Sequence, residues 1–235
     1  TDLGAFVSGD TATNISFGST LTSTYYMFEN CVGLTGDDFK YLMLRLNSPI
    51  TTMEGMFSGC FGIDAVIWYD IFKNLSKVTS LFNTFRGTKL EGVIRSRLST
   101  YSSTDKSTWG LLDFLPLLTN VNGAFAETHI SGIDNNLFAP INNTYYNITD
   151  ADYMFEGCYN LYSKKDTTAT VIENGNLSSK SFFSNLKYLS KVFPNGMFYG
   201  CSHISMTVDN DDTTSYLFHT INSSYANKKL VLTDS

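Results

Sequence analysis

The sequence predicts an α/β solenoid of about six repeats, with short helices and a mostly parallel sheet of short strands. Three registers predict it. A Met-Phe-x-Gly-Cys pattern recurs at intervals near 28–30 residues, a Phe-x-x-Leu/Ile pattern occurs once per interval, and a threonine stands six residues before most of the key phenylalanines.

The first register reads Met27-Phe28-Glu29-Asn30-Cys31, Met56-Phe57-Ser58-Gly59-Cys60, Met154-Phe155-Glu156-Gly157-Cys158 and Met197-Phe198-Tyr199-Gly200-Cys201. Thr84-Phe85-Arg86-Gly87-Thr88 and Ala124-Phe125-Ala126-Glu127-Thr128 are diverged copies with Thr in the Cys position. The key phenylalanines are therefore Phe28, Phe57, Phe85, Phe125, Phe155 and Phe198, separated by 29, 28, 40, 30 and 43 residues. The two long intervals carry polar insertions, Ser96 to Gly110 and Ser163 to Ser179. Confinement of insertions to particular loops is usual in stacked repeats.

The second register is Phe39/Leu42, Phe72/Leu75, Phe114/Leu117, Phe138/Ile141, Phe183/Leu186 and Phe218/Ile221. The third is Thr22, Thr51, Thr79, Thr119 and Thr149, broken by Val192 in the last copy. One domain spans 1–235, with an incomplete leading repeat at 1–20 and repeats at about 21–49, 50–77, 78–117, 118–147, 148–188 and 189–235. The closing Leu230-Val231-Leu232-Thr233-Asp234-Ser235 echoes the apolar-Thr pair that opens each repeat, so the reading is a piece of a longer chain.

Each threonine is placed to cap a helix, its hydroxyl accepting from a free amide of the first turn. Glu54 follows Thr51 by three residues, as in a capping box, and Asp152 follows Thr149 likewise. Met53, Met56, Phe57 and Cys60 then fall at i, i+3, i+4 spacing, which predicts a helix of about three turns. Segments such as Ile63–Ile67, Leu90–Ile94 and Ile130–Ile133 follow as short strands, with small residues (Gly36, Ala65, Gly92, Gly132, Ser163) where neighbours stack. The Phe-x-x-Leu segment is a further helical turn. No single repeat can bury its apolar stripe alone, but stacked repeats can. The six key phenylalanines should form a column, each ring contributing about 1.5–3 kcal/mol on full burial.

The same logic accounts for the cysteines. Cys31, Cys60, Cys158 and Cys201 all stand three residues after a key Phe, and Thr88 and Thr128 fill the equivalent position. Interchange with Thr fits small buried thiols better than disulfides. With no Cys-x-x-Cys pair and three histidines (His129, His203, His219), a zinc site is not predicted.

The Met-Phe-x-Gly-Cys-x-x-Leu pattern, carried by Met56 to Cys60 and its copies over about residues 21–221, resembles the BspA-type leucine-rich repeats. These occur in surface proteins of gut bacteria, in some protist surface proteins, and in structural proteins of phages that infect Bacteroides-like hosts. The resemblance implies a leucine-rich-repeat-like solenoid with a role in attachment. The chain departs from that pattern in its leucine-poor extended segments and its two insertions.

Composition narrows the function. Charged residues are 16% of the chain, against about 25% in ordinary soluble domains. Ser, Thr and Asn replace them, a surface suited to an extracellular, cell-surface or virion-surface setting. The net charge is -6, with 16 Lys and Arg against 22 Asp and Glu. Nucleic-acid binding, which needs clustered cations to displace counterions, is not expected. No apolar run approaches the roughly 20 residues of a membrane span. Neither a nucleophile-elbow serine nor a phosphate loop occurs. Asp209-Asn210-Asp211-Asp212 has oxygen ligands at calcium-like spacing but lacks the Gly and distal Glu of an EF-hand loop, and Asp37-Asp38 is weaker still. The expectation is no enzyme, no cofactor and no metal.

The leading expectation is a surface-exposed repeat domain for adhesion or attachment to a host or receptor, on a virion or a bacterial cell. Its partner would be a protein or glycan on a cell surface. The alternative is a decoration or spacer subunit contacting neighbours within a larger assembly. Aromatic side chains outside the repeat positions are the candidate contacts: Trp68, Tyr69, Tyr145, Tyr146 and, as an exposed anchor in the first insertion, Trp109, with Tyr25-Tyr26 and Tyr159 with Tyr162 as further rings that could share a face. Tyr and Trp give contact area at little entropic cost.

Overall fold

The computed structural model describes residues 17–47, 49–98, 100–133, 137–138, 146–161 and 196–201, together with the backbone of 177–178 and 206–207. The expectations for Tyr145, Tyr162, His203, His219, Asp209–Asp212, the second insertion, the Phe183 and Phe218 positions and both chain ends lie outside these residues.

Successive repeats lie in parallel, in register, and each hydrogen-bonds to the next. The threonine column shows the register most directly. The amide N–H groups of Thr51, Thr79, Thr119 and Thr149 each donate to the carbonyl of the preceding threonine at 2.7–2.8 Å. Their hydroxyls donate to the same carbonyls at 3.0–3.2 Å. These threonines are therefore rungs between coils and not helix caps. Parallel bridges run beside them through Ser23, Thr52, Ser80, Asn120 and Asp150.

The residues around each key Phe form consecutive tight turns where a helix was expected. Amides here alternate. The N–H of every key Phe from Phe28 to Phe155 donates across to the next coil, to the carbonyl one residue before its own phenylalanine, at 2.9–3.0 Å. The amides on either side close four-residue turns within the coil, as in Met56 to Met53, Ser58 to Gly55 and Cys60 to Phe57. An α-helix would need all of these amides for itself. The apolar spacing does not discriminate, because both arrangements turn Met53, Met56, Phe57 and Cys60 inward, and all four are buried.

The turns explain the glycines. A positive φ recurs two residues before and two after every key Phe, at the third position of a turn, where type II geometry requires it. Two residues before Phe, the occupants alternate strictly: Tyr26, Gly55, Asn83, Gly123, Tyr153, Gly196. Sterics impose the alternation. A methyl at Gly55 would stand 2.3 Å from the Tyr26 ring, at Gly123 2.0 Å from Asn83 Oδ1, and at Gly196 2.5 Å from the Tyr153 ring. Each left-handed side chain lies across the next coil, which must then be bare.

Inside, the rings of Phe28, Phe57, Phe85, Phe125, Phe155 and Phe198 form one continuous column. Successive centroids are 5.7, 6.1, 5.4, 6.0 and 5.9 Å apart, with planes within 23° of parallel. Such contacts add about 0.5–1.5 kcal/mol per pair beyond burial. A second row flanks it. Phe39 meets Phe57 and Phe85 edge-on, and Phe72 packs on Phe85.

Phe39 lies on the helix α1, Gly36–Arg45, whose start is fixed by reciprocal hydrogen bonds between Thr35 and Asp38. The equivalent segment of the third repeat is a single 3-10 turn, Leu111–Phe114. Strands are short. β1 (Glu91–Val93) pairs in parallel with β2 (His129–Gly132), and β3 (Leu177–Ser178) with β4 (Met206–Thr207).

No disulfide joins the cysteines. Cys60, Cys158 and Cys201 each donate a thiol hydrogen bond to the carbonyl of the preceding coil's key Phe, at 2.9–3.0 Å. Thr88 and Thr128 in the same position bond instead to their own coil's Phe carbonyl at 2.8 Å. Burial pushes the Cys60 thiol up to about 12 and the Cys158 thiol up to about 11, against about 8.5 when unfolded.

Two outcomes are expected. Gly55→Ala lowers stability by about 1–3 kcal/mol from the strained φ alone, and Tyr26→Ala removes the ring the methyl strikes. In urea unfolding the double variant should therefore lose less than the two single losses combined, and additivity would refute the steric coupling. The raised thiols make the folded state hold protons that the unfolded chain releases. Their stabilisation is complete below about pH 8.5 and falls as pH climbs towards the folded values. Between pH 8.5 and 10 the urea midpoint should drop, and Cys158→Thr should flatten that drop.

Candidate binding surfaces

Two surfaces stand out beyond the stacked core. The first lies one residue past the Cys/Thr position. That position is buried in all but the first coil, and the following residue turns outward: Val32, Phe61, Lys89, His129 and Tyr159 are all exposed. Val32 is 61% exposed, Phe61 56% and Tyr159 65%. Val32 and Phe61 stand on adjacent coils of this ridge, and Lys89 and His129 separate them from Tyr159.

The second surface is the first insertion. Leu98 N–H donates to Thr108 carbonyl at 3.0 Å and Leu111 N–H to Arg95 carbonyl at 2.8 Å, which ties the two ends of the loop together. The Thr108 hydroxyl donates to Asp105 carbonyl at 2.7 Å and accepts from Ser102 N–H at 2.9 Å. Beneath the loop Asp113 collects three kinds of donor: Gly110 N–H at 2.8 Å, Arg97 Nε at 2.6 Å and the Tyr146 hydroxyl at 2.5 Å. The Asp113 side chain is 2% exposed. Arg97 also stacks over Tyr146, 4.6 Å from its ring centre. Burial first, and then the Asp113 charge, push the Tyr146 phenol well above its usual value. It is a fixed donor, not a titrating group at neutral pH.

Above this network lie Arg95, Lys106, Tyr69 and Trp109. The Arg95 guanidinium sits 4.7 Å over the Tyr69 ring and donates through Nη2 to Ser107 carbonyl. Lys106 Nζ is 5.5 Å from the Trp109 ring centre. Phe114 lies between the two rings, 6.4 Å from Tyr69 and 5.0 Å from Trp109.

Of the aromatic candidates, Tyr69 and Trp109 both meet Phe114, from its two sides, with no ring contact between the two themselves. Trp109 is not a free-standing anchor. It is half-buried, its indole N–H donates to Ser102 carbonyl at 2.9 Å, and its ring packs on the core. Trp68 is half-buried against Phe39, and Tyr146 is committed to Asp113. Asp38, half of the weak acidic pair, is taken up in the cap of α1. His129 is exposed on the ridge. Sequence reasoning missed Val32, Phe61, Arg95, Arg97 and Asp113, and named Tyr159 only as one ring among several. The ridge had a signal, since it occupies one fixed repeat position. The loop had only the Arg-x-Arg of Arg95 and Arg97.

A third feature is structural. Arg86 bridges three coils, with Nη2 2.5 Å from Glu127 and 2.9 Å from Glu156. Among the described residues no group of three His, Cys, Asp or Glu side chains is placed to hold a metal ion, and no helix is long and apolar enough to cross a membrane.

No family model, no curated protein and no solved structure matches this chain.

Asp113→Ala would leave Arg97 buried without its charge partner, and should cost about 3–5 kcal/mol in urea unfolding. Arg97→Met with Asp113→Leu, which removes both charges, should cost less than Asp113→Ala alone.

Proposed function

We propose that this chain is a non-catalytic, surface-exposed attachment domain, a leucine-rich-repeat-like solenoid of the BspA kind on a virion or bacterial surface. The observation that carries the reading is the exposed ridge. Val32, Phe61 and Tyr159 occupy one repeat position and all three are more than half exposed. Aligned exposed apolar side chains mark interaction surfaces, and rings at such positions tend to carry a large share of binding energy. The sparsely charged, hydroxyl-rich composition agrees with an extracellular setting.

The test is attachment of the chain to host-cell surfaces. Phe61→Asp and Tyr159→Asp should each weaken attachment at least tenfold and leave Tm within about 2 °C, since exposed positions contribute little to stability. If the chain binds no host surface, and the same variants instead impair incorporation into a larger particle, the decoration or spacer role replaces attachment.

A further inference from the structure

We propose that Arg95, Lys106, Tyr69 and Trp109 form a binding site for an anionic saccharide, a sugar carrying a carboxylate or sulfate. The site is built from residues other than the ridge. It deepens the attachment reading by naming a ligand class, and it rests on that reading.

Charge is the first argument. The chain carries a net charge of -6, yet this loop holds two cations together, since Arg95 reaches the carbonyl of Ser107, the residue beside Lys106. Neither cation is in an ion pair among the described residues, whereas Lys40, Lys73, Arg86 and Arg97 all are. Of the carboxylates near in sequence, Glu91 is exposed four residues before Arg95, and Asp105 and Asp113 are engaged within the loop. Asp105 accepts from Ser107 N–H at 3.0 Å and from Ser107 Oγ at 2.6 Å. Asp113 is held below by Arg97, Gly110 and Tyr146.

Preorganisation is the second. Stacking on Tyr69 and the tether to Ser107 hold the Arg95 guanidinium in place. Its remaining N–H groups keep a fixed direction, the condition under which an arginine fork recognises a planar or tetrahedral oxyanion at low entropic cost. Aromatic rings accompany both cations. Tyr69, exposed beside the Arg95 guanidinium, and the half-buried Trp109 beside Lys106 add apolar ring edge next to the two cations. The Ser102, Thr104 and Ser107 hydroxyls are bonded within the loop and hold its shape. The insertion is also where the repeat departs from its period, and departures built on a rigid frame commonly carry function.

The experiment uses the whole chain, with sialyllactose and a 6-sulfated N-acetyllactosamine as probes, lactose as the neutral control and a polyglutamate peptide as the non-sugar anion. Calorimetry should show an acidic sugar bound at least tenfold more tightly than lactose, weakening as salt is raised. Arg95→Ala and Lys106→Gln should each weaken it at least tenfold, and Arg95→Lys should recover only part, because an ammonium lacks the fork. Lys106→Gln lies on an exposed side chain and guards against a folding artefact in Arg95→Ala. Equal binding of lactose, equal binding of polyglutamate, or indifference to both substitutions would overturn the site. Cell attachment that persists in Arg95→Ala, with no acidic sugar bound by the unaltered chain, would sink the site and spare the attachment reading. Failure of both would sink both.

Discussion

Each coil is bound to the next through its backbone, and that constraint dictates the side chains. The key Phe amide reaches the following coil, the threonine amide reaches the preceding one, and register follows. Any position is therefore stacked on its own equivalents, one coil away on each side. A residue is acceptable only if it tolerates its counterparts in the two adjacent copies. Phenylalanine does, through offset stacking. Threonine does, because its hydroxyl and amide share one carbonyl acceptor. Cysteine and threonine are exchangeable three residues past the Phe because both find a Phe carbonyl, one in the preceding coil and one in their own. Positions with left-handed backbone do not tolerate two side chains in succession, hence the alternation from Tyr26 to Gly196.

Charge obeys the same rule. Acidic residues around the last two turns of adjacent coils would repel at coil-to-coil spacing. Glu127 and Glu156 are accommodated because Arg86, from the coil before, reaches both. Such a bridge depends on salt and contributes modestly in the open. Its sense is specific, because Arg86 belongs only where two carboxylates follow it in the stack.

This explains which parts of the molecule were legible in the sequence. Equivalence between coils writes itself as periodicity, so the Phe, Thr and Cys/Thr positions could be read directly. Backbone conformation does not. The inward set at Met53, Met56, Phe57 and Cys60 has the same spacing in an α-helix and in paired type II turns. The discriminating residues were Gly55 and Gly59, a glycine two residues either side of the phenylalanine. Glycine costs about 1 kcal/mol inside a helix relative to alanine and is favoured at the third position of these turns. Two glycines in one supposed helix argued against it, and the threonine ahead of them then had no helix to cap. The binding candidates were harder to read, because an aromatic residue in sequence looks the same whether it points out or in. Trp109 and Tyr146 were taken inward by hydrogen-bond partners, Ser102 and Asp113, that belong to an aperiodic loop. Phe61 and Tyr159, by contrast, sit at a fixed repeat position.

The first insertion is thus the place where the stacking rule is suspended, and its interior is built differently. The repeats hold together with backbone bonds and apolar rings, and place almost no charge inside. The loop is held by an ion pair, Arg97 with Asp113, whose carboxylate carries two further donors from Gly110 and Tyr146. A buried pair of this kind adds little net stability over an apolar substitute, but it is intolerant of rearrangement, since either charge alone is costly. A stack of coils supplies rigidity in one dimension only. A loop leaving the stack has no equivalent neighbour to fix it, and must carry its own directional bonds. The Asp113 network supplies them at one end of the loop, and Arg95, stacked on Tyr69 and bonded to the Ser107 carbonyl, supplies another.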